Sequence, residues 1–218
     1  MRRTNYTILK YILPIMALVV MFRGTAWAED TAYSNYARLS SGFYQPTSDL
    51  DKAGYDSGGD LAIAFGRYFG KHLVLEGGLG FLYTERDVVG NVPVAGFYVE
   101  DDSVSVLSIT LTAKGVYPIG RFELYGGGGI GGYIVSLYAD VTSANLGNVD
   151  TDDSDTVLGF HAVGGFNFKI TERFLLGAEV KYLWTDDVDI SKQISDIPIR
   201  LQGDLDGYSV NITFGFRF

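Results

Sequence analysis

Tyr208-Ser-Val-Asn-Ile-Thr-Phe-Gly-Phe-Arg-Phe218 alternates without a slip: Tyr208, Val210, Ile212, Phe214, Phe216 and Phe218 are apolar, and the residues between them are polar or small. A period of two makes this a strand with one greasy and one wet face. In a soluble sheet the greasy face needs a covering layer. A strand of this length that ends on an aromatic residue also suits a barrel wall whose greasy face meets lipid. The rest of the chain decides between the two.

The same alternation recurs upstream, and eight segments carry it: 33–45, 59–69, 73–85, 103–117, 122–138, 156–168, 174–185 and 208–218. No window after residue 28 offers the uninterrupted apolar run of a transmembrane helix or a sustained period of 3.6. Three connections, 70–72, 118–121 and 169–173, are short enough for tight hairpins. The other four, 46–58, 86–102, 139–155 and 186–207, are long, polar and rich in Asp, Ser, Asn and Gly. Short and long alternate strictly, as short periplasmic turns and longer extracellular loops do in a membrane barrel. A soluble sandwich has no reason to sort its loops by end.

The N-terminus adds a compartment. Arg2, Arg3 and Lys10 precede an apolar run from Tyr11 to Phe22, and Ala26-Trp27-Ala28 has the small-x-small form of a cleavage site. Residues 1–28 read as a secretory signal peptide, leaving 29–218 as the mature chain. Arg2, Arg3, Lys10 and Arg23 leave with it, so the mature chain holds 13 basic and 26 acidic residues, a net charge of −13. That disfavours nucleic acid as a partner and permits cation binding. Without cysteine the chain has no disulfide framework and no thiolate metal site.

Facing follows from parity. In 174–185, Phe174, Leu176, Ala178, Val180, Tyr182 and Trp184 point outward, and Glu179 and Lys181 point inward with Leu175, Gly177 and Leu183. Glu76 and Lys114 turn inward by the same rule, as do Arg38, Glu123 and Arg217, while the facing of 67–69 stays open. An eight-stranded lumen is just wide enough to be filled by side chains. Charges there persist only when paired, so an ion-pair network that plugs the barrel is expected. Aromatic residues crowd the strand ends, with Tyr83, Tyr138, Tyr182, Trp184 and Tyr208 toward the loops and Tyr68, Phe69, Tyr117, Phe122, Phe168, Phe174 and Phe218 toward the turns. They are expected to form two interfacial belts.

The turn-flanking blocks Arg67-Tyr-Phe-Gly-Lys-His-Leu-Val-Leu-Glu-Gly-Gly-Leu-Gly-Phe81 and Phe166-Asn-Phe-Lys-Ile-Thr-Glu-Arg-Phe-Leu-Leu-Gly-Ala-Glu-Val-Lys-Tyr182, with the final Phe-Arg-Phe218, resemble the small eight-stranded outer-membrane β-barrel family of Gram-negative bacteria, the porin-like or opacity-type surface proteins. The resemblance implies an all-β, antiparallel, up-and-down transmembrane barrel in the cell outer membrane. It also implies that Phe218 is the aromatic signal read by the barrel-assembly machinery. It leaves activity open, because fold does not fix function.

Three features invite chemistry. Gly127, Gly129 and Gly132 spell a dinucleotide fingerprint, but the following residues continue as strand, so no helix N-terminus is there to meet a pyrophosphate. Asp150, Asp152, Asp153 and Asp155 fail as an EF-hand loop, because Asp155 stands where Gly is needed and His161 where Glu is needed. These residues, and Asp186, Asp187 and Asp189, remain candidates for a looser divalent-cation site beside the plainer reading of solvated acidic loops. His161 faces the lumen. Lipid A deacylases among small barrels place a Ser two residues after such a His, and here that residue is Val163, which leaves the His without a nucleophile.

The expectation is therefore a monomeric, non-enzymatic barrel without cofactor, its lumen plugged by Arg38, Glu76, Lys114, Glu123, Glu179, Lys181, Arg217 and His161. Its long acidic loops would serve a structural or surface-interaction role, in contact with outer-membrane lipid and lipopolysaccharide. The alternatives are a narrow passive channel for small solutes and a lipid A-modifying enzyme.

Overall fold

The computed structural model describes the backbone of residues 34–92, 96–143, 147–194 and 197–218, and the side chains of 34–86, 102–138, 154–189 and 203–218. The expected signal peptide, residues 1–28, lies outside them. In chain order the elements are β1 (Asn35–Pro46), α1 (Asp49–Lys52), β2 (Gly58–Phe69), β3 (Leu73–Val92), β4 (Gly96–Ile119), β5 (Phe122–Ser143), β6 (Gly147–Lys169), β7 (Phe174–Thr185), β8 (Val188–Ile194), β9 (Ile197–Gly203) and β10 (Gly207–Arg217).

Eight strands close into an antiparallel barrel in the order β1-β10-β7-β6-β5-β4-β3-β2, and β8–β9 form a separate hairpin. Closure is made by β10 on β1, from Tyr36 opposite Arg217 to Pro46 opposite Gly207. Phe218 extends it, donating its N–H to Asn35 O at 2.9 Å and accepting from Asn35 N at 3.2 Å. The all-β up-and-down barrel is the one expected, and closure leaves no strand edge within the barrel wall to be satisfied by solvent.

Alternation is realised as a wet or packed interior and an apolar wall. Leu61, Ile63 and Phe65 on β2, Leu79 and Phe81 on β3, Leu107 and Leu111 on β4, Leu158 and Phe160 on β6, and Ile212 and Phe214 on β10 are all exposed. An apolar band on every side of a barrel far exceeds the patches that soluble monomers tolerate, and lipid is the solvent that suits it.

The loop end departs from expectation. The expected loops 86–102 and 139–155 are almost wholly strand: β3 pairs β4 up to Val92 opposite Gly96, and β5 pairs β6 up to Ser143 opposite Gly147. β4 and β5 stay paired to Tyr98 opposite Ser143, so β3–β6 rise as one four-stranded wall above the shorter β1, β2, β7 and β10. A tilted membrane strand needs only about 9–11 residues, and β4 has 24. Beyond the bilayer neither face meets lipid, so the apolar–polar period fades while the hydrogen-bonded ladder continues. The fourth loop, 186–207, likewise contains β8–β9, and the first contains α1.

Candidate functional site: an ion-paired lumen under a folded cap

Parity places Arg38 on β1, Glu76 on β3, Lys114 on β4 and Glu179 on β7, four walls aimed at one axis. Their side chains form a closed quartet. Arg38 Nη2 donates to Glu76 Oε1 at 2.6 Å and its Nη1 to Glu179, while Lys114 Nζ reaches Glu76 at 2.8 Å and Glu179 at 3.0 Å. Two cations meet two anions, and each carboxylate takes both. Tyr36 donates its hydroxyl to Glu76, and the Tyr125 ring lies 4.9 Å from Lys114 Nζ.

Toward the turns, Glu123 is held by Arg217 and by Lys169 at 3.2 Å. Arg217 also donates to the Tyr68 hydroxyl at 2.8 Å and lies over that ring at 5.1 Å. Tyr68 is thus a lumen residue with its ring tilted against that of Tyr36, centroids 5.6 Å apart, and not a member of the turn-end belt. The outward position in that stretch is taken by Arg67 and Phe69, on the face of Phe65. Toward the loops, Lys181 lies 3.7 Å from Asp60, which also accepts from Asn211 Nδ2 at 2.9 Å. His161, 4% exposed, shares a hydrogen bond with Thr112 Oγ1 at 2.8 Å through Nε2.

Glycines make the room. A Cβ on Gly129 would sit 2.7 Å from the His161 ring, and one on Gly165 would sit 2.7 Å from the Tyr125 hydroxyl. The glycine run of β5 is strand throughout, as its sequence context predicts, and Gly127, Gly129 and Gly131 open the lumen side. Among the described residues, two small cavities of about 20 and about 30 Å³ lie around the quartet. Each has room for one or two waters and none for a solute.

Above the ionic layer the lumen turns apolar. Val104, Val106, Tyr133, Val135, Leu137, Val157 and Leu183 line it, and the loops fill it with Leu50 of α1, Tyr55, Val188 and Leu205, all buried. The cap is pinned by polar contacts. Tyr44 donates to Leu205 O at 2.7 Å, Ser48 to Asp204 at 3.0 Å, Thr47 N to Asp206 O at 3.0 Å, and Leu205 N to Thr185 Oγ1 at 2.8 Å. Asp206 accepts the Thr185 N–H at 3.0 Å. Burial nevertheless holds its carboxyl above the ordinary carboxylate range, with Asp204 and Asp49 adding to the shift and the Thr185 N–H opposing it.

The expected network residues therefore all lie in the lumen, in three groups. Asp60, Lys169, Tyr36, Tyr68, Thr112 and Asn211 join them without having been singled out. Asp60 and Tyr68 share the inward parity of Ala64 and Gly66, so their facing was already encoded. Asp150, Asp152 and Asp153 are on strand β6 and not in a loop, and their side chains lie outside the described residues. Asp155 accepts from its neighbour Thr156 N at 2.7 Å and from Asp189 N at 3.2 Å, joining β6 to β8; Asp186 and Asp187 are exposed. Among the described residues no three His, Asp or Glu side chains gather as a metal site. Phe218 is half-exposed beside Phe216, ring centroids 6.4 Å apart.

Comparison with known proteins agrees on architecture. Solved barrels of similar shape include a major outer membrane protein of Thermus thermophilus (TM-score 0.54, 15% identity, 86% of this chain and 100% of that one). The outer membrane protein OprG of Pseudomonas aeruginosa is another (0.52, 18%, 85% and 97%), and so is Neisserial surface protein A (0.50, 15%, 87% and 100%). None of the curated proteins matches by sequence. The model of the family described as outer membrane protein beta-barrel domain matches residues 15–218. With a closed eight-stranded wall that is apolar outside and paired inside, the chain belongs to that outer-membrane β-barrel family.

Proposed function

We propose that the protein is a sealed, monomeric, non-enzymatic barrel that acts through its loop end, as a structural and surface-interaction protein. The observation that carries this reading is the double seal. The Arg38–Lys114–Glu76–Glu179 quartet closes the middle of the lumen, and the Leu50–Tyr55–Val188–Leu205 cap closes the mouth. Opening a solute path requires breaking buried ion pairs and exposing a packed apolar core together. The four-stranded wall and the acidic loop end are then the parts left to meet partners, with lipopolysaccharide and its divalent ions nearest. Purified protein in planar bilayers is expected to give no stable single-channel steps; regular openings in most insertions would sink the sealed reading. Cells displaying the protein are expected to adhere or aggregate more than cells displaying a variant shortened over residues 87–101, and equal behaviour would count against the surface role.

Catalysis is disfavoured by the placing of His161, which is enclosed, bonded to Thr112 and walled off from lipid by its own strand. Mass spectrometry of lipid A from expressing cells is expected to show unchanged acylation. An acyl chain lost with the native protein and retained with His161→Ala would overturn this.

A further inference from the structure

Charge is sorted along the barrel. The turns 70–72, 120–121 and 170–173 contain Lys71, Arg121 and Arg173 against a single acid, Glu172, in a chain with 26 acidic and 17 basic residues. Arg67 adds a further cation on the outer face, two residues before the end of β2. The turn end is thus a basic rim on an acidic protein.

Depth decides what this rim meets. Each turn is so short that its cations lie between exposed apolar side chains of the wall. Lys71 falls between Phe69 and Leu73, with His72 next to it, Arg121 between Ile119 and Phe122, and Arg173 between Ile170 and Phe174. A strand rises about 3.3 Å per residue, so residues one or two positions beyond a lipid-facing side chain lie roughly 3–7 Å past it. The headgroup zone on each side of the hydrocarbon is about that thick. Arg121 is fixed at this depth. Its Nε and Nη2 donate to Lys169 O at 3.2 Å and Ile170 O at 2.9 Å, and its guanidinium lies 5.1 Å from the Phe168 ring centre, which ties one turn to the next. His72 is fixed likewise, with Nδ1 3.0 Å from Val116 O and its ring 6.5 Å from that of Tyr117.

We propose that this basic rim binds anionic phospholipid headgroups of the leaflet at the turn end, in preference to zwitterionic ones. Arg and Lys at the membrane surface attract anionic lipid, and guanidinium forks match phosphate oxygens. The partner is a lipid and not free phosphate, because the flanking apolar residues place acyl chains beside the same cations. The proposal rests on the outer wall facing lipid and is independent of whether the lumen conducts.

The test is native mass spectrometry of the full chain, folded and released from mixed micelles or nanodiscs holding equal phosphatidylglycerol and phosphatidylcholine. Bound phosphatidylglycerol is expected to exceed phosphatidylcholine several-fold. The Lys71→Gln/Arg173→Gln variant, checked for the heat-dependent gel shift of a folded barrel, is expected to lower that ratio by about two- to fivefold per cation. Lys52→Gln, at the loop end, is expected to leave it unchanged. A wild-type ratio equal to the mixture, an unaltered ratio in the double variant, or an equal drop in Lys52→Gln would overturn the proposal. So would displacement of the lipid by inorganic phosphate beyond that caused by chloride at equal ionic strength.

Discussion

Lys114 and Glu179 meet at 3.0 Å from β4 and β7, strands that are not paired with each other and are separated along the barrel wall by β5 and β6. Their contact therefore spans the lumen, and with Arg38 and Glu76 it ties four strands at one level.

Removing one member strands its partners in a buried site. Glu179→Gln or Lys114→Met is expected to destabilise the folded barrel by about 3–5 kcal/mol, the cost of leaving an unpaired buried charge. Urea unfolding in liposomes, followed by tryptophan fluorescence, measures it; an unchanged midpoint would show that the quartet adds nothing. The double replacement of Lys114 by Met and Glu179 by Gln leaves Arg38 and Glu76 paired, and is expected to cost less than the two single changes summed.

Leu50 is the side chain by which α1 enters the apolar mouth. Leu50→Ala is expected to cost the cap about 2–5 kcal/mol, as for other buried Leu truncations. Because Lys52 is exposed two residues away, trypsin cleavage after Lys52 reports the opening directly. Cleavage in the variant at the native rate would mean that the cap is not held by its apolar contact.

Asp206 gives the cap a pH dependence of unusual sign. Its folded pKa lies above the unfolded value, chiefly through burial, so the closed cap holds its proton more tightly than the open chain does. Its contribution to closure is complete below the ordinary carboxylate pKa and is lost as pH rises through the raised value. Amide protection of residues 203–206, corrected for intrinsic exchange, is expected to fall over that window. Asp206→Asn keeps an acceptor for the Thr185 N–H and is expected to flatten the profile; an identical slope in the variant would assign it elsewhere.

Gly129 and Gly132 separate space from composition. A Cβ on Gly129 would collide with Leu111 O and the His161 ring, whereas one on Gly132 meets nothing within 4 Å. Gly129→Ala is expected to destabilise by about 1–3 kcal/mol or more, the range for overpacking, and Gly132→Ala to be neutral. Equal folded yields and equal midpoints for both would refute the steric account.

Phe218 completes the seam with Asn35 and leaves its ring on the outer wall. Deleting it or replacing it with Asp is expected to lower the amount of heat-modifiable barrel in the outer membrane several-fold. Normal levels would show that neither the seam nor an assembly signal depends on it.

Parity alone made the membrane-embedded part legible. Glu179 and Lys181 alternate with Val180 and Tyr182, so an eight-stranded barrel and the inward facing of such mid-strand charges could be derived from the residues, whereas the outward Arg67 at the turn end of β2 could not. Partnership could not. Whether Glu123 binds Arg217 or Arg38 depends on strand stagger, which alternation leaves free by steps of two. Tyr68 was misplaced because aromatic character suits both a belt and a lumen, although its parity with Ala64 and Gly66 already pointed inward, where it lies against Tyr36 and near Glu123.

The loop end was the least legible, for a physical reason. Lipid no longer sorts side chains there, so the continued ladders of β3–β6 look like polar loop in sequence. Leu50 and Leu205, single apolar residues in acidic surroundings, show no period at all. Alternation under lipid thus determined an eight-stranded barrel with its charges inside. Only the tertiary structure, by bringing Leu50, Tyr55, Val188 and Leu205 onto the lumen residues of the barrel wall, decided that an apolar core sits above the ionic layer.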